Sequence, residues 1–126
     1  MSKKILTVDD SKVIRNQLTR ILKAAGYEVH QAEDGSEALE ICEGQSFDLI
    51  MLDVNMPTPG LVTLEKLRMI QHHQKTPVCF LTTEGSKDRR DHAKSLGAIA
   101  WLIKPFNKET LVPTVEAIFA RAAAAS

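Results

Sequence analysis

Three carboxylates close two apolar segments of the chain: Asp9 and Asp10 end KILTVDD, and Asp53 ends FDLIMLD. If both segments are strands of one parallel sheet, their final side chains gather along one edge and the anions share a crevice. Such crowding asks for a cation. Thr82 closes PVCFLT and Lys104 closes AIAWLIK, so a hydroxyl and an ammonium join the same edge. Carboxylates with a backbone carbonyl and waters suit Mg2+, which prefers near-octahedral oxygen ligation; Asp10 and Asp53 are the expected direct ligands, with Asp9 direct or through water. With Lys104 and the metal offsetting the charge of a phosphoryl group, the Asp53 carboxylate is free to attack phosphorus in line and become an acyl phosphate. The Thr82 hydroxyl then donates to a phosphoryl oxygen, drawing its strand end inward and turning chemistry into a change of shape.

Positioning these side chains requires five strands, and the pattern supplies them. Short aliphatic runs alternate five times with amphipathic stretches, which predicts an α/β fold: a (βα)5 doubly wound, five-stranded parallel sheet with helices on both faces. The strands are expected at roughly 4–9, 27–32, 48–53, 77–82 and 99–104. Helical spacing in VIRNQLTRILKAAG puts Val13, Ile14, Leu18, Ile21 and Leu22 on one stripe, ended by Gly26. Further helix starts are expected at Ser36, Gly60, Ser86 and Asn107. Pro113 falls inside the last of these helices, where it removes one backbone hydrogen bond.

The bulk properties narrow the function class. The 126 residues suit one domain, 1–126, burying about 70% of its unfolded surface. Lys plus Arg and Asp plus Glu both count 16, so no basic footprint for nucleic acid and no polybasic membrane patch is expected. The N-terminus carries neither a signal-peptide apolar region nor a spanning run, which together with two cysteines outside any metal-ligand spacing suggests a reducing, cytoplasmic setting. Cys42 and Cys79 are expected in the core.

Taken together, VDDS, LDVNMP, LTTEG and LIKPF at the ends of the first, third, fourth and fifth strands resemble the receiver domains of two-component response regulators, over the whole chain. Each motif alone is weak, and their order and spacing carry the likeness. The resemblance implies strand order 2-1-3-4-5, Asp53 as phosphoacceptor, Asp9 and Asp10 as the acidic metal pair, and Asn55 as a metal ligand through its backbone carbonyl. It also implies Lys104 as the phosphate-binding cation, Thr82 as the switch hydroxyl and Trp101 as the partner aromatic. Asn55 and Glu84 occupy the positions that tune dephosphorylation. LTTEG and AWLIKPF are most similar to stand-alone chemotaxis regulators of the CheY type. That likeness implies a sensor histidine kinase of the CheA type as phosphodonor, a protein target such as the flagellar motor switch or another effector, and a phosphatase as a further partner. A monomer without an output domain is expected, catalysing only its own phosphorylation and dephosphorylation. Three features depart from the usual pattern: MPTPG is one residue short, Trp101 stands where tyrosine or phenylalanine is usual, and Pro113 interrupts the last helix.

Other readings compete. A receiver in a non-motility phosphorelay, or one acting as a phosphate sink, would carry the same residues. A hydrolase working through an aspartyl phosphate would instead place two Asp residues at DxD spacing on the first strand. A flavodoxin-like binder needs a hydroxyl- and glycine-rich loop there, and VDDSK would repel the cofactor's phosphate. Taken one at a time, Asp9 and Asp10 could be helix-terminus acids, Asp53 a turn residue, Thr82 a β-former and Lys104 a solvated cation. Trp101, opposite Leu102 and Lys104 by strand alternation, could be only a core aromatic. His72 and His73 are expected to end a helix and face solvent.

Overall fold

LIMLD and VCFLT are buried at every position, as strands must be when helices cover both faces of a sheet. In the computed structural model, which describes residues 3–54, 60–82, 91, 94–95, 97–104 and 106–125, they are β3 (Leu49–Asp53) and β4 (Val78–Thr82). β1 (Lys4–Val8), β2 (Glu28–Ala32) and β5 (Ala98–Ile103) complete a sheet of order β2-β1-β3-β4-β5 in which every pairing is parallel. The α/β architecture and strand order are those expected, with strand ends within one residue. At the β2 edge, Glu28, His30 and Gln31 interrupt the apolar pattern, a composition that blunts an exposed edge.

Strand alternation splits the core into two layers. Leu6, Val8, Ile50, Leu52, Val78 and Phe80 face helices α2 (Gly35–Gly44) and α3 (Gly60–Leu67). Ile5, Leu49, Met51, Cys79, Leu81 and Leu102 face α1 (Lys12–Ala24) and the C-terminal helix (Lys108–Ala125). Trp101 packs on the first layer, its ring centroid 5.4 Å from that of Phe80, while Leu102 enters the second, as alternation requires. Cys42 and Cys79 are buried, and burial pushes both thiols up to about 12. Among the described residues no helix is long and apolar enough to cross a membrane.

Local chemistry sets the helix ends. The Ser11 hydroxyl accepts from Ile14 N at the start of α1. At its end Gly26 takes φ +99°, with Gly26 N donating to Lys23 O and Tyr27 N to Leu22 O, a glycine-terminated Schellman turn. Val13 is a correction: it is 67% exposed, because about 100° per residue sets it roughly opposite Leu22, off the stripe of Ile14, Leu18 and Ile21. The second helix begins before Ser36, since Asp34 is its cap: Asp34 Oδ1 accepts from Glu37 N at 2.8 Å, and Glu37 reaches back to Glu33 N. Asn107 caps the C-terminal helix as expected, exchanging hydrogen bonds with Thr110, and Pro113 lies within it. Of the helix expected after Ser86, Asp91, Lys94 and Ser95 are described and helical.

The largest departure follows α3. This helix stops at Leu67, because the Arg68 guanidinium folds back to donate to the carbonyls of His73 and Thr76, both at 2.8 Å, and of Gly97. His72 and His73 fall in a 3-10 turn, Gln71–His73, and His73 is fully buried rather than solvated. Its Nε2 lies 2.9 Å from Gln45 O and its Nδ1 2.8 Å from Thr76 Oγ1, which fits a neutral ring donating to the carbonyl and accepting from the hydroxyl. Burial, reinforced by the neighbouring His72 and Arg68 charges, holds its pKa below the ordinary 6.5. A histidine depressed by folding contributes stability that is complete above the unfolded value and is lost as pH falls below it toward the folded value. Urea midpoints of the wild type are therefore expected to drop more steeply than those of His73→Gln as pH falls below about 6.5; parallel profiles would contradict this.

Candidate functional site

The chain winds from β1 to β2 on one side and from β2 back past β1 to β3 on the other, so the winding direction reverses between β1 and β3. Crevices at such reversals open at the carboxyl ends of the strands. The register places the expected residues there. Val8 pairs with Leu52, which sets Asp9 beside Asp53; Asp53 pairs with Leu81 and Thr82 with Ile103, which sets Thr82 and Lys104 in the same row. Ligand oxygens of Asp9, Asp10 and Asp53 all lie within 4.8 Å of one another.

The three carboxylates are held differently. Asp9 is fully buried and hydrogen-bonded at both oxygens: Oδ1 accepts from Ser11 N at 2.9 Å and Oδ2 from Lys104 Nζ at 2.8 Å. Its backbone is pinned too, N donating to Ala32 O and O accepting from Arg15 Nη1 at 2.6 Å. Asp53 is 3% exposed, and its Oδ2 stands 3.5 Å from Lys104 Nζ, an ion pair beyond ordinary hydrogen-bond length. Asp10 is exposed, with its carboxylate turned to the other two. Lys104, 15% exposed at its side chain, thus stretches back over β4 and β3 to lie between two buried acids. Thr82 is buried at the end of β4, and its carbonyl accepts from Lys104 N at 2.7 Å.

Gly60 makes this crevice possible. A Cβ on it would stand 2.7 Å from Asp53 O, 2.9 Å from the Phe80 ring and 3.1 Å from Val54 Cα, so the first turn of α3 abuts the end of β3 only because that atom is missing. Since two of those neighbours are backbone, Gly60→Ala is expected to cost about 2–3 kcal/mol through forced displacement. An unchanged urea midpoint would show that the strand end yields freely.

The structure thus brings together Asp9, Asp10, Asp53, Thr82 and Lys104, and it puts Trp101 next to Phe80 in the layer under α2 and α3. Asn55 and Glu84 lie outside the described residues, as do Pro57, Thr58 and Pro59 of the short loop. Two contributors escaped the sequence reading. Ser11 acts through its backbone N, which no residue type reveals. Arg15 carried a signal, a basic residue one helical turn into α1, but nothing in the sequence said that it turns back to Asp9. As for magnesium, three hard oxygen donors converging at this spacing, one of them on the exposed Asp10, fit the ion.

Residues 5–116 match the response regulator receiver domain family. The transcriptional regulatory protein CpxR of Escherichia coli is 44% identical over 119 residues, which are 94% of this chain and 50% of that protein. Transcriptional regulatory protein SrrA of Staphylococcus aureus is 34% identical over 122 residues, 96% of this chain and 49% of that protein. The chain therefore spans about half the length of these curated relatives. Among solved structures, chemotaxis protein CheY4 of Vibrio cholerae is similar with TM-score 0.90 and 43% identity, covering 94% of this chain and 99% of the other. A CheY-like receiver domain protein of Methanospirillum hungatei covers both chains completely at TM-score 0.92 and 27% identity. The chain belongs to the response regulator receiver domain family.

Proposed function

We propose that the chain is a phosphorylation switch in which Asp53 takes a phosphoryl group from a phosphohistidine of a sensor kinase and the modified domain then binds a protein target. The observation that carries this reading is the convergence of the Asp10 and Asp53 carboxylates with the Lys104 ammonium at the reversal edge. A carboxylate oxygen of Asp53 attacks phosphorus as the phosphorus–nitrogen bond breaks, and the imidazole leaves with the electron pair of that bond. Lys104, which lies between Asp9 and Asp53, would offset the charge that develops on the phosphoryl oxygens, and the Thr82 hydroxyl would donate to one of them. Asp10 and Asp53 would hold Mg2+, with Asp9, each of whose oxygens already accepts one hydrogen bond, joining directly or through water. When bound, the ion neutralises charge on the phosphoryl oxygens.

The domain modifies itself rather than turning over a metabolite, and it acts in the cytoplasm, where buried Cys42 and Cys79 stay reduced. Chemotaxis is the pathway favoured by the likeness to CheY4, which extends over 99% of that chain. The 44% identity to half of CpxR favours a second output, transcriptional regulation. Incubation with magnesium and a small acyl phosphate is expected to add the mass of one phosphoryl group and to change Trp101 fluorescence. Absence of the mass change with magnesium present would sink the reading.

A further inference from the structure

We infer that Arg15 is a positioning residue for the acidic pair, holding the Asp9–Asp10 peptide so that both carboxylates point into the crevice; the inference rests on the metal-assisted reading above. Arg15 lies one turn into α1, and its Nη1 donates to Asp9 O at 2.6 Å, the shortest tie to that residue. Its Nε donates to Gln31 Oε1 at 3.3 Å on β2, and Gln31 Nε2 in turn donates to Thr19 Oγ1 at 2.6 Å on α1. The guanidinium is thereby fixed between a helix and a strand and presented to the one carbonyl that lies between the two acids. Asp9 is 0% exposed, so without Arg15 this carbonyl must turn to find water, and the peptide that carries Asp10 turns with it. The carboxylate of Asp9 has its own anchors in Ser11 N and Lys104. That of Asp10 has no hydrogen bond among the described residues and takes its direction from the backbone alone.

A guanidinium near three carboxylates also acts at a distance, and the two roles have opposite signs. As a charge, Arg15 repels a divalent cation, so removing it would tighten binding. As a support, it orders the ligands, so removing it weakens binding, by about 10-fold in the range usual for groups behind metal ligands. The sign of the change therefore decides between them.

The test is calorimetric titration of the full chain with MgCl2 at fixed ionic strength, for wild type, Arg15→Met and Gln31→Met. Wild type is expected to bind, Arg15→Met to bind about 10-fold more weakly, and Gln31→Met, which keeps the charge but frees the guanidinium, to fall between them. Tighter binding in Arg15→Met overturns the inference and assigns Arg15 a purely electrostatic effect; equal binding overturns it as well. If Arg15→Met does not fold, an unchanged affinity in Gln31→Met overturns it instead. A wild type that binds no magnesium refutes the underlying metal reading, an outcome separate from either of these.

Discussion

Asp53→Asn is expected to gain no phosphoryl mass from an acyl phosphate under conditions where the wild type is modified, and to lose the accompanying Trp101 fluorescence change. The substitution keeps the volume and the strand, since Asp53 closes β3 with its backbone paired to Leu81, but it replaces the nucleophilic oxygen by an amide. An amide neither attacks phosphorus usefully nor forms an acyl phosphate, so the effect is a loss rather than a slowing. It also removes one of three crowded anions, so the metal-free variant is expected to be no less stable than wild type, and magnesium to bind it more weakly. Modification persisting in Asp53→Asn would place the acceptor elsewhere, and peptide mapping would then locate it.

Lys104→Met has the second largest expected effect, and it touches stability as well as chemistry. The ammonium bridges Asp9 Oδ2 at 2.8 Å and Asp53 Oδ2 at 3.5 Å, both on nearly buried carboxylates. Stranding a buried ion by removing its partner costs about 3–5 kcal/mol in closed interiors. Because this crevice opens to solvent on the Asp10 side, the expected loss is nearer 2 kcal/mol. Magnesium should restore more stability to the variant than it adds to the wild type, since a cation is what the variant lacks. Phosphorylation should fall by about 100-fold, the usual result of deleting one group that meets developing charge. The measurements are urea unfolding with and without magnesium and the rate of mass gain. A wild-type rate in Lys104→Met would remove lysine from the chemistry and leave it a structural tie.

How much of this was legible depended on which interactions do the deciding. The five strands and their facing could be read, because a buried parallel strand must be an apolar run and its last residue must point into the crevice; Asp9, Asp53, Thr82 and Lys104 follow from that geometry. The strand order came from resemblance, not from the run lengths. Helix ends were read well where a local signal existed, at the stop marked by Gly26 and the start marked by Asn107. They were misread where a distant acceptor decided: α3 ends at Leu67 because Arg68 finds carbonyls at His73, Thr76 and Gly97, the last 29 positions away. His73 looked solvated for the same reason, its partner Gln45 being 28 positions distant. Arg15 was overlooked because a basic residue on an amphipathic helix looks alike whether it meets water or a buried carbonyl.

The Arg68 and His73 hydrogen bonds lie at the amino ends of the strands: Gln45 precedes β3, Thr76 precedes β4 and Gly97 precedes β5. The reactive groups lie at the carboxyl ends, a five-residue strand or about 17 Å away. Durability and reactivity are thus lodged at opposite poles of one sheet. Substitutions at the lower pole can retune how firmly the domain holds together while leaving the side chains gathered at the upper pole in place.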